Sequence, residues 1–315
     1  MKISLYIATR LFRKMILFLV RVYCRFVPGD DISIAVQMVE RGSEKELDCT
    51  AVLNRLGARK LFFLDVGAAG GMDPLMAKYS NFVTPILVEP DPAEYARLKA
   101  AGHKVIGSAL AEHSGSSTFY LTRKRTCSSL LPPTGRMARF YAGDSGKFDV
   151  EECLTLETQT IAEAMAGIGE RLDFLKLDTQ GTELSILRGL GGYKPLFIKV
   201  EMSVMEVYEG QALLWQVGED LYKRGYMPFN LYLDFMAPTP RSSWRPRDWG
   251  SQRGLPAFGD LFVMPDWTRP EGRALFEGRD LELASLLLIF GMANIARYIW
   301  NDVETPNREK ILSII

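Results

Sequence analysis

The sequence predicts an α/β fold, a doubly wound and mostly parallel sheet with helices on both faces. Strand-like segments alternate with helix-like segments between Lys60 and Pro265. Most strand segments are apolar throughout, which is typical of parallel strands that are buried on both faces. The first strand ends in the glycine-rich turn Gly67–Gly71. Because crossovers between parallel strands are right-handed, such a fold places its binding site at the carboxyl ends of the strands.

Each predicted element rests on local composition. Short apolar runs that stop at an acid, a glycine or a turn predict strands, and longer mixed segments predict helices. Strands are predicted at residues 61–66, 85–89, 104–107, 172–178, 196–202, 227–233 and 259–264, with a short extra strand at 117–122. Helices are predicted at residues 91–101, 160–167 and 211–224. A polar insertion that contains glycine and proline follows the extra strand, to about Phe148.

Composition excludes several classes of function. The chain has 315 residues, 47% hydrophobic and 24% charged, which is ordinary for a globular protein. Lys plus Arg equals Asp plus Glu at 38 each, so the charge balance predicts no nucleic-acid partner. The chain has two histidines and four cysteines, and the cysteines form no CxxC pair, which argues against a zinc site. The scarcity of histidine also argues against hydrolases that use a catalytic histidine. The absence of a disulfide pattern predicts a cytoplasmic protein.

Residues 1–27 are predicted to form a basic amphipathic helix. Four of its six basic residues, Arg10, Lys14, Arg21 and Arg25, fall within about 60° of a helical wheel. The apolar run between Lys14 and Arg21 is too short to span a bilayer. We therefore predict peripheral contact with an anionic membrane surface, on its inner face. The alternative is that the helix packs its apolar side on the domain.

Three further regions complete the predicted organisation. Residues 28–59 form a helical lead-in, residues 60–265 the main domain, and residues 266–315 a helical C-terminal extension. The uncharged run Leu283–Ala296 in that extension is too short to cross a membrane.

The turn after the first strand and the acid after the second predict a nucleotide-like ligand. Glycines let a backbone approach a ligand closely, although the GxGxxG spacing of a pyrophosphate cradle is missing. Glu89 ends the second predicted strand, 24 residues after Asp65. An acid about 20 residues beyond the first strand holds ribose hydroxyls in nucleotide-binding α/β folds. A simple tight turn and a solvated strand end are the alternatives.

Two later strands also end in acids. Asp178 ends the strand Leu172–Asp178 and precedes a Gly turn, and Glu183 lies in the first turn of the following helix. Glu201 lies at the end of the next strand. Carboxylates are rarely placed near a core without a role, so these acids are candidate catalytic residues, with helix caps or solvated strand ends as the alternative.

These motifs resemble one family. The segments DVGAAGG, VEPDP, LKLDTQGTELSILRG, IKVE and GDLFV, in this order from about Phe62 to Val263, resemble the FkbM family of S-adenosylmethionine-dependent methyltransferases. The resemblance implies the seven-stranded, Rossmann-like class I methyltransferase sheet. It also implies O-methylation of hydroxyls on sugars or polyketides.

The resemblance assigns a cofactor site. Asp65, Gly67 and Gly71 correspond to the residues near the methionine part of S-adenosylmethionine, and Glu89 to the ribose-binding acid. Ser108 and Ala109 fall where the adenine is held. Ala69 stands where family members often carry Asn, which removes a side-chain donor near the cofactor. Asp91 of the VEPDP segment and Asp178 complete the predicted cofactor-binding set.

The predicted function is methyl transfer to a hydroxyl of a glycan or glycolipid-type acceptor. Asp178 and Glu201 are the first candidates for a general base, with Glu183 third. No metal site is predicted, although carboxylates could hold Mg²⁺ or Ca²⁺. Two other functions stay open. One is an NAD-dependent oxidoreductase, which would require the GxGxxG motif that this turn lacks, and the other is a non-catalytic cofactor-binding or membrane-associated partner protein.

The segment Met236–Ala257 is predicted to recognise the acceptor. It joins the sixth predicted strand to the seventh and interleaves arginines with tryptophans, among them Trp244, Arg245, Arg247 and Trp249. Guanidinium groups bind carboxylate or phosphate in two-pronged fashion, and indole rings stack on sugar faces. An acidic or phosphate-linked glycan would suit this segment. The alternative is a solvated basic loop whose tryptophans pack into the domain.

Overall fold

A seven-stranded sheet forms the centre of this computed structural model, which describes residues 49–136, 145–169, 171–236 and 255–315. Its strands are β1 (Leu61–Val66), β2 (Val83–Val88), β3 (Val105–Ile106), β7 (Phe174–Leu177), β8 (Phe197–Ser203), β9 (Tyr226–Met236) and β10 (Leu255–Pro265). Their spatial order is β3-β2-β1-β7-β8-β10-β9. Strand β10 is antiparallel to both of its neighbours, and the other pairs are parallel. The predicted doubly wound, mostly parallel sheet is confirmed.

Each face of the sheet carries its own hydrophobic core. Phe63, Phe174 and Phe197 occupy paired positions on β1, β7 and β8 and belong to one core. The residues that follow them in each strand belong to the core on the opposite face. Since successive side chains of a strand point to opposite faces, these apolar runs serve both cores at once.

The helices lie before the first strand, between the strands and after the last strand. They are α1 (Thr50–Leu56), α2 (Pro74–Lys78), α3 (Pro92–Ala100), α4 (Ile161–Met165), α5 (Glu183–Arg188), α6 (Leu214–Lys223), α7 (Pro270–Phe276), α8 (Asp280–Ile289), α9 (Ala293–Asp302) and α10 (Arg308–Ile314). The side chains of Asp73, Asp91 and Thr160 cap the first turns of α2, α3 and α4. Such caps satisfy backbone N–H groups that a helix start leaves without partners.

The uncharged run in the C-terminal region belongs to the protein core. In α8, every residue from Leu283 to Leu287 is buried, and Trp300 of α9 is fully buried beside them in the same core as Phe63. A helix that is apolar on all sides is expected where other elements surround it. Within the described ranges, no helix combines the length and the apolar character needed to cross a membrane.

A second, three-stranded sheet has the order β4-β6-β5, formed by β4 (Ala109–Leu110), β5 (Gly115–Thr122) and β6 (Val150–Gln159). The sequence predicts β5 but misses β6. Most residues in the first half of β6 are exposed, so the strand lacks the buried apolar run that marks the others. Two short 3₁₀ helices, Arg125–Cys127 and Ser145–Phe148, lie in the insertion between β5 and β6.

Several predictions fall outside the described residues. They are the helix at 1–27, residues 28–48 of the lead-in at 28–59, and residues 237–254 of the acceptor segment, which include Trp244, Arg245, Arg247 and Trp249. Those predictions stay predictions. The two strands that flank the acceptor segment are described, and Met236 of β9 pairs with Leu255 of β10.

Candidate functional site

The turns that follow β1 and β7 touch each other at the carboxyl edge of the sheet. Asp178 donates its backbone N–H to the Val66 carbonyl at 3.0 Å, and Gly67 donates to the Val88 carbonyl at 3.0 Å. Gly67 has a φ of 79°, and a Cβ at this position would lie 1.9 Å from the Asp178 carbonyl oxygen. Only glycine fits here, because the conformation is left-handed and a neighbouring backbone occupies the space of a side chain.

Two cavities open at this edge. The first cavity, of about 170 Å³, lies over the ends of β1 and β2, and the second, of about 250 Å³, lies over the ends of β7 and β8. Both are lined by Thr126, Asp178 and Gln180. A ligand in one cavity would therefore meet a ligand in the other at the end of β7.

The predicted cofactor residues divide into two groups. Five of them line the first cavity: Gly67, Ala69, Glu89, Ala109 and Asp178. Four others are absent from its lining: Asp65, Gly71, Asp91 and Ser108. Of these four, Gly71 donates its N–H to the Ala68 carbonyl at 2.9 Å, and Ser108 accepts a hydrogen bond from the Gln159 amide. These residues therefore support the wall of the cavity through the backbone and neighbouring side chains.

Asp65 supports the glycine turn from below. Its side chain is fully buried and pairs with the Lys176 ammonium at 2.7 Å. It also accepts a hydrogen bond from the backbone N–H of Asp73 at 3.0 Å. Lys176 in turn lies 3.4 Å from the Gly67 carbonyl oxygen. These contacts tie both ends of the turn to β7, so Asp65 fixes the shape of the backbone that forms the first cavity.

Glu89 is a buried carboxyl group at the first cavity. Its Oε1 accepts the Asp91 backbone N–H at 2.9 Å. Burial is the main cause that raises its pKa to about 7, and the nearby Asp91 and Glu94 carboxylates add to the rise. The backbone N–H groups of Asp91 and Ala69 lower the pKa in part. Glu89 therefore changes its protonation state near neutral pH.

Asp91 brings a second carboxyl group close to Glu89. Its Oδ1 caps α3 by accepting the Ala93 N–H at 2.9 Å. Its Oδ2 is buried and makes no hydrogen bond, although the Arg125 guanidinium lies 3.7 Å away. The charge of Arg125 is therefore the contact that compensates this buried oxygen.

The second cavity contains a pair of carboxyl groups, Asp178 and Glu201, bridged by an amide. The Gln180 side-chain nitrogen donates to Asp178 Oδ1 at 3.1 Å and also to Glu201 Oε2. Burial, followed by the charges of Asp178 and Glu183, raises the pKa of Glu201 well above its usual range. Glu201 therefore keeps its proton at a pH where an ordinary glutamate has lost it.

Asp178 is the more accessible member of the pair, with 39% of its side chain exposed. Its Oδ2 lies 3.8 Å from the Lys176 ammonium. Among the described residues it is also the one acid that lines both cavities. Its exposure and its position therefore favour Asp178 over Glu201 as a group that accepts a proton.

Glu183 uses its oxygens to hold a turn. Its Oε1 accepts hydrogen bonds from the Thr179 N–H at 2.9 Å and the Thr179 hydroxyl at 3.1 Å. The Gly181 N–H lies 3.0 Å from Oε2. The side chain is buried, and burial raises its pKa. We infer that Glu183 positions the turn that carries Asp178 and Gln180.

Sequence reasoning missed two residues of the site, Gln180 and Tyr208. Gln180 stands between the predicted Asp178 and Gly181 in the DTQGTE segment, where its left-handed backbone gives no compositional signal. Tyr208 lies in a loop and donates its hydroxyl toward the Cys127 carbonyl at 2.8 Å and Gln180 Oε1 at 3.0 Å. Its position depends on the insertion after β5, which the sequence predicted only as polar.

Comparison with known proteins identifies a family match. The model of the methyltransferase FkbM domain matches residues 65–229. No curated protein matches the chain. A precorrin-6y C5,15-methyltransferase from Geobacter metallireducens GS-15 is 13% identical, with a TM-score of 0.29 over 70% of this chain and 93% of that one. A 1,6-didemethyltoxoflavin-N1-methyltransferase from Burkholderia thailandensis, solved with S-adenosylhomocysteine, is 14% identical, with a TM-score of 0.30 over 74% and 86%.

Proposed function

Because this chain belongs to the FkbM methyltransferase family, we propose that it transfers a methyl group from S-adenosylmethionine to a hydroxyl of a glycan or glycolipid-type acceptor. The chain is a methyltransferase with a Rossmann-like class I fold. The observation that carries the proposal is the pair of cavities that meet at Asp178. One cavity suits a cofactor and the other an acceptor.

The first cavity is lined by polar and apolar groups that suit S-adenosylmethionine. Glu89 offers carboxylate oxygens for ribose hydroxyls, and the backbone at Gly67 and Ala69 lines the cavity beside it. Ala109 and Leu110 supply an apolar wall of the kind that suits an adenine ring. Asp91, whose Oδ2 lies 3.7 Å from the Arg125 guanidinium, is behind the lining and supports Glu89 through its backbone N–H. These residues fit the cofactor, and we propose that they hold it.

Asp178 is the proposed general base. When bound, S-adenosylmethionine would supply an electrophilic methyl group on a sulfonium sulfur, and its transfer to the acceptor oxygen would leave S-adenosylhomocysteine. The hydroxyl proton would pass to an oxygen of Asp178, which lies 3.8 Å from the Lys176 ammonium. The remaining acceleration comes from holding the two reactants in line across the boundary of the cavities.

The second cavity is the proposed acceptor site. Phe148, Tyr208 and Phe258 give it aromatic walls, and Lys124 lies at its lining. Aromatic walls suit a sugar ring, and an ammonium group suits an acidic or phosphate substituent. The acceptor segment 236–257 starts and ends at this edge, because Phe258 pairs with Ser203 at the end of β8. We propose that Trp244, Arg245, Arg247 and Trp249 extend the acceptor site and that residues 1–27 bring it to an anionic membrane surface.

Glu89 provides a test of the cofactor site through pH. If its carboxylate accepts ribose hydroxyls, the dissociation constant for S-adenosylhomocysteine should rise roughly tenfold between about pH 8 and about pH 6, as a group with a pKa of about 7 becomes protonated. Replacing Glu89 by Ala should weaken binding by roughly 1–3 kcal/mol at the higher pH. Isothermal titration calorimetry measures both effects.

The matched control is Glu89→Gln, which keeps the shape of the side chain and does not titrate. Its dissociation constant should be the same at both pH values. A wild-type affinity that does not change with pH, together with an unchanged affinity of Glu89→Ala, would remove Glu89 from the cofactor site.

A further inference from the structure

Gln180 has an unusual backbone for its residue type. Its φ is 60°, and it is the one residue other than glycine with a positive φ in the part of the chain that the structure describes. A side chain with a Cβ is strained in this region, and such strain persists only where the surroundings impose it. Here Glu183 imposes it by accepting hydrogen bonds from the residues on both sides, Thr179 and Gly181. Strained residues of this kind cluster at functional sites.

The strained backbone directs the amide into the wall between the two cavities. Gln180 lines both of them. Its nitrogen donates to Asp178 and to Glu201, and its Oε1 accepts the Tyr208 hydroxyl at 3.0 Å. Its backbone carbonyl accepts the Ser129 hydroxyl at 2.8 Å. Both amide hydrogens and the amide oxygen are thus engaged, which fixes the orientation of the group.

We propose that Gln180 is a positioning residue for methyl transfer, whose amide holds Asp178 and Glu201 at a fixed separation and so keeps Asp178 in place to take the acceptor's proton. This inference rests on the proposed function of the site. The amide is neutral and donates only toward the carboxyl groups, so it draws them together without itself titrating. Tyr208 acts one step further out, because its hydroxyl orients the amide.

Other charged groups also face the carboxyl pair and set its response to pH. Lys176 of β7 and Glu183 of α5 lie on one side, and Asp260 of β10 lies on the other, paired with Lys199 of β8 at 3.1 Å. The Tyr208 hydroxyl, with a pKa raised by burial, stays neutral throughout the accessible range. Of these groups only the Tyr208 hydroxyl hydrogen-bonds to the Gln180 side chain, and it does not titrate in this range, so a shift in titration reports on the amide.

The experiment replaces Gln180 by Met and by Gly. Met keeps the volume and removes the hydrogen bonds, whereas Gly removes the side chain and relieves the backbone strain. Carbon-13 NMR of glutamate-labelled full-length protein, with the Glu201 signal assigned from a Glu201→Gln variant, follows the titration of that carboxyl. Methyl incorporation from labelled S-adenosylmethionine into an extract of cells that make the protein follows the rate.

We expect Gln180→Met to move the Glu201 titration midpoint upward by at least about half a pH unit, because the carboxylate loses a donor. The rate should fall about 10²-fold, as expected when reacting groups are misplaced. Gln180→Gly should lose rate to a similar extent with an unchanged or higher melting temperature, which separates positioning from folding. Tyr208→Phe should shift the Glu201 midpoint by less than Gln180→Met does. The double variant should show the same midpoint as Gln180→Met alone.

An unchanged Glu201 midpoint in Gln180→Met would overturn the proposal. A wild-type rate of methyl incorporation in either Gln180 variant would also overturn it. A loss of rate accompanied by a lower melting temperature in both variants, with the midpoint unmoved, would mark Gln180 as structural only. Failure of the proposed function would look different, because the wild-type protein itself would then bind no S-adenosylhomocysteine and incorporate no methyl group. The NMR titration still decides the role of Gln180 in that case.

Discussion

Replacing Asp178 by Asn is expected to lower the rate of methyl transfer by roughly 10²–10⁴ while the affinity for S-adenosylhomocysteine stays unchanged. The amide preserves the size and polarity of the side chain at both cavities but cannot accept the hydroxyl proton. Asp178 is singled out because it lines both cavities and lies 3.8 Å from the Lys176 ammonium. Single-turnover rates with labelled cofactor, together with calorimetric titration, separate the rate from the affinity.

Glu201→Gln is the matched control for this experiment. Because burial and the neighbouring carboxylates keep Glu201 protonated, a neutral amide in its place changes little, and the rate should stay within about tenfold of the wild type. If Glu201→Gln loses as much rate as Asp178→Asn, the roles of the two acids are reversed. A parallel loss of affinity and rate in Asp178→Asn would instead identify Asp178 as a cofactor anchor.

Replacing Gly67 by Ala is expected to remove cofactor binding and to destabilise the protein by at least about 4 kcal/mol. The new Cβ would lie 1.9 Å from the Asp178 carbonyl oxygen, and Gly67 also has a φ of 79°. Since the Asp178 carbonyl belongs to the backbone and the new Cβ is fixed to the Gly67 backbone, neither can move aside without separating the turns after β1 and β7. Chemical denaturation and titration with S-adenosylhomocysteine measure the two effects.

Gly70→Ala is the control that separates the steric clash with Asp178 from the backbone strain of a positive φ. Gly70 has a φ of 92°, but a Cβ there would meet no atom within 4 Å. This variant should therefore lose only the strain energy of a left-handed residue, about 1–3 kcal/mol, and should still bind the cofactor product. Equal destabilisation of the two variants would mean that the contact with Asp178 contributes nothing.

The main sheet was predictable because its strands are buried on both faces. Largely apolar runs such as Leu61–Val66 carry a strong signal whatever their surroundings. The same rule explains the missed strand β6, which is exposed along its first half and is held by pairing with β5. Its stability comes from partners that are distant in the sequence, and periodicity does not report such partners.

The candidate site was predictable to the level of strand ends. Because parallel strands bring their carboxyl ends to one edge, the acids at Glu89, Asp178 and Glu201 could be placed together from the sequence. What could not be read was the direction of each side chain. Asp65 is also an acid near the end of a strand, yet its side chain points into the interior and pairs with Lys176.

The cluster around Asp178 depends on long-range contacts that no local pattern encodes. Gln180 contacts Glu201 from the next strand and Tyr208 from a loop that follows it. Similarly, Arg125 reaches Asp91 from the insertion between β5 and β6. The DTQGTE segment predicted a turn with acids, but the role of the glutamine becomes visible only when its partners are in place.

The central claim is that the first cavity binds S-adenosylmethionine, and the most direct test is calorimetric titration of the full-length protein with S-adenosylhomocysteine and, separately, with NAD. The account predicts one site per chain for S-adenosylhomocysteine, weakened in Glu89→Ala, and no heat of binding for NAD. Saturable binding of NAD without binding of S-adenosylhomocysteine would contradict it.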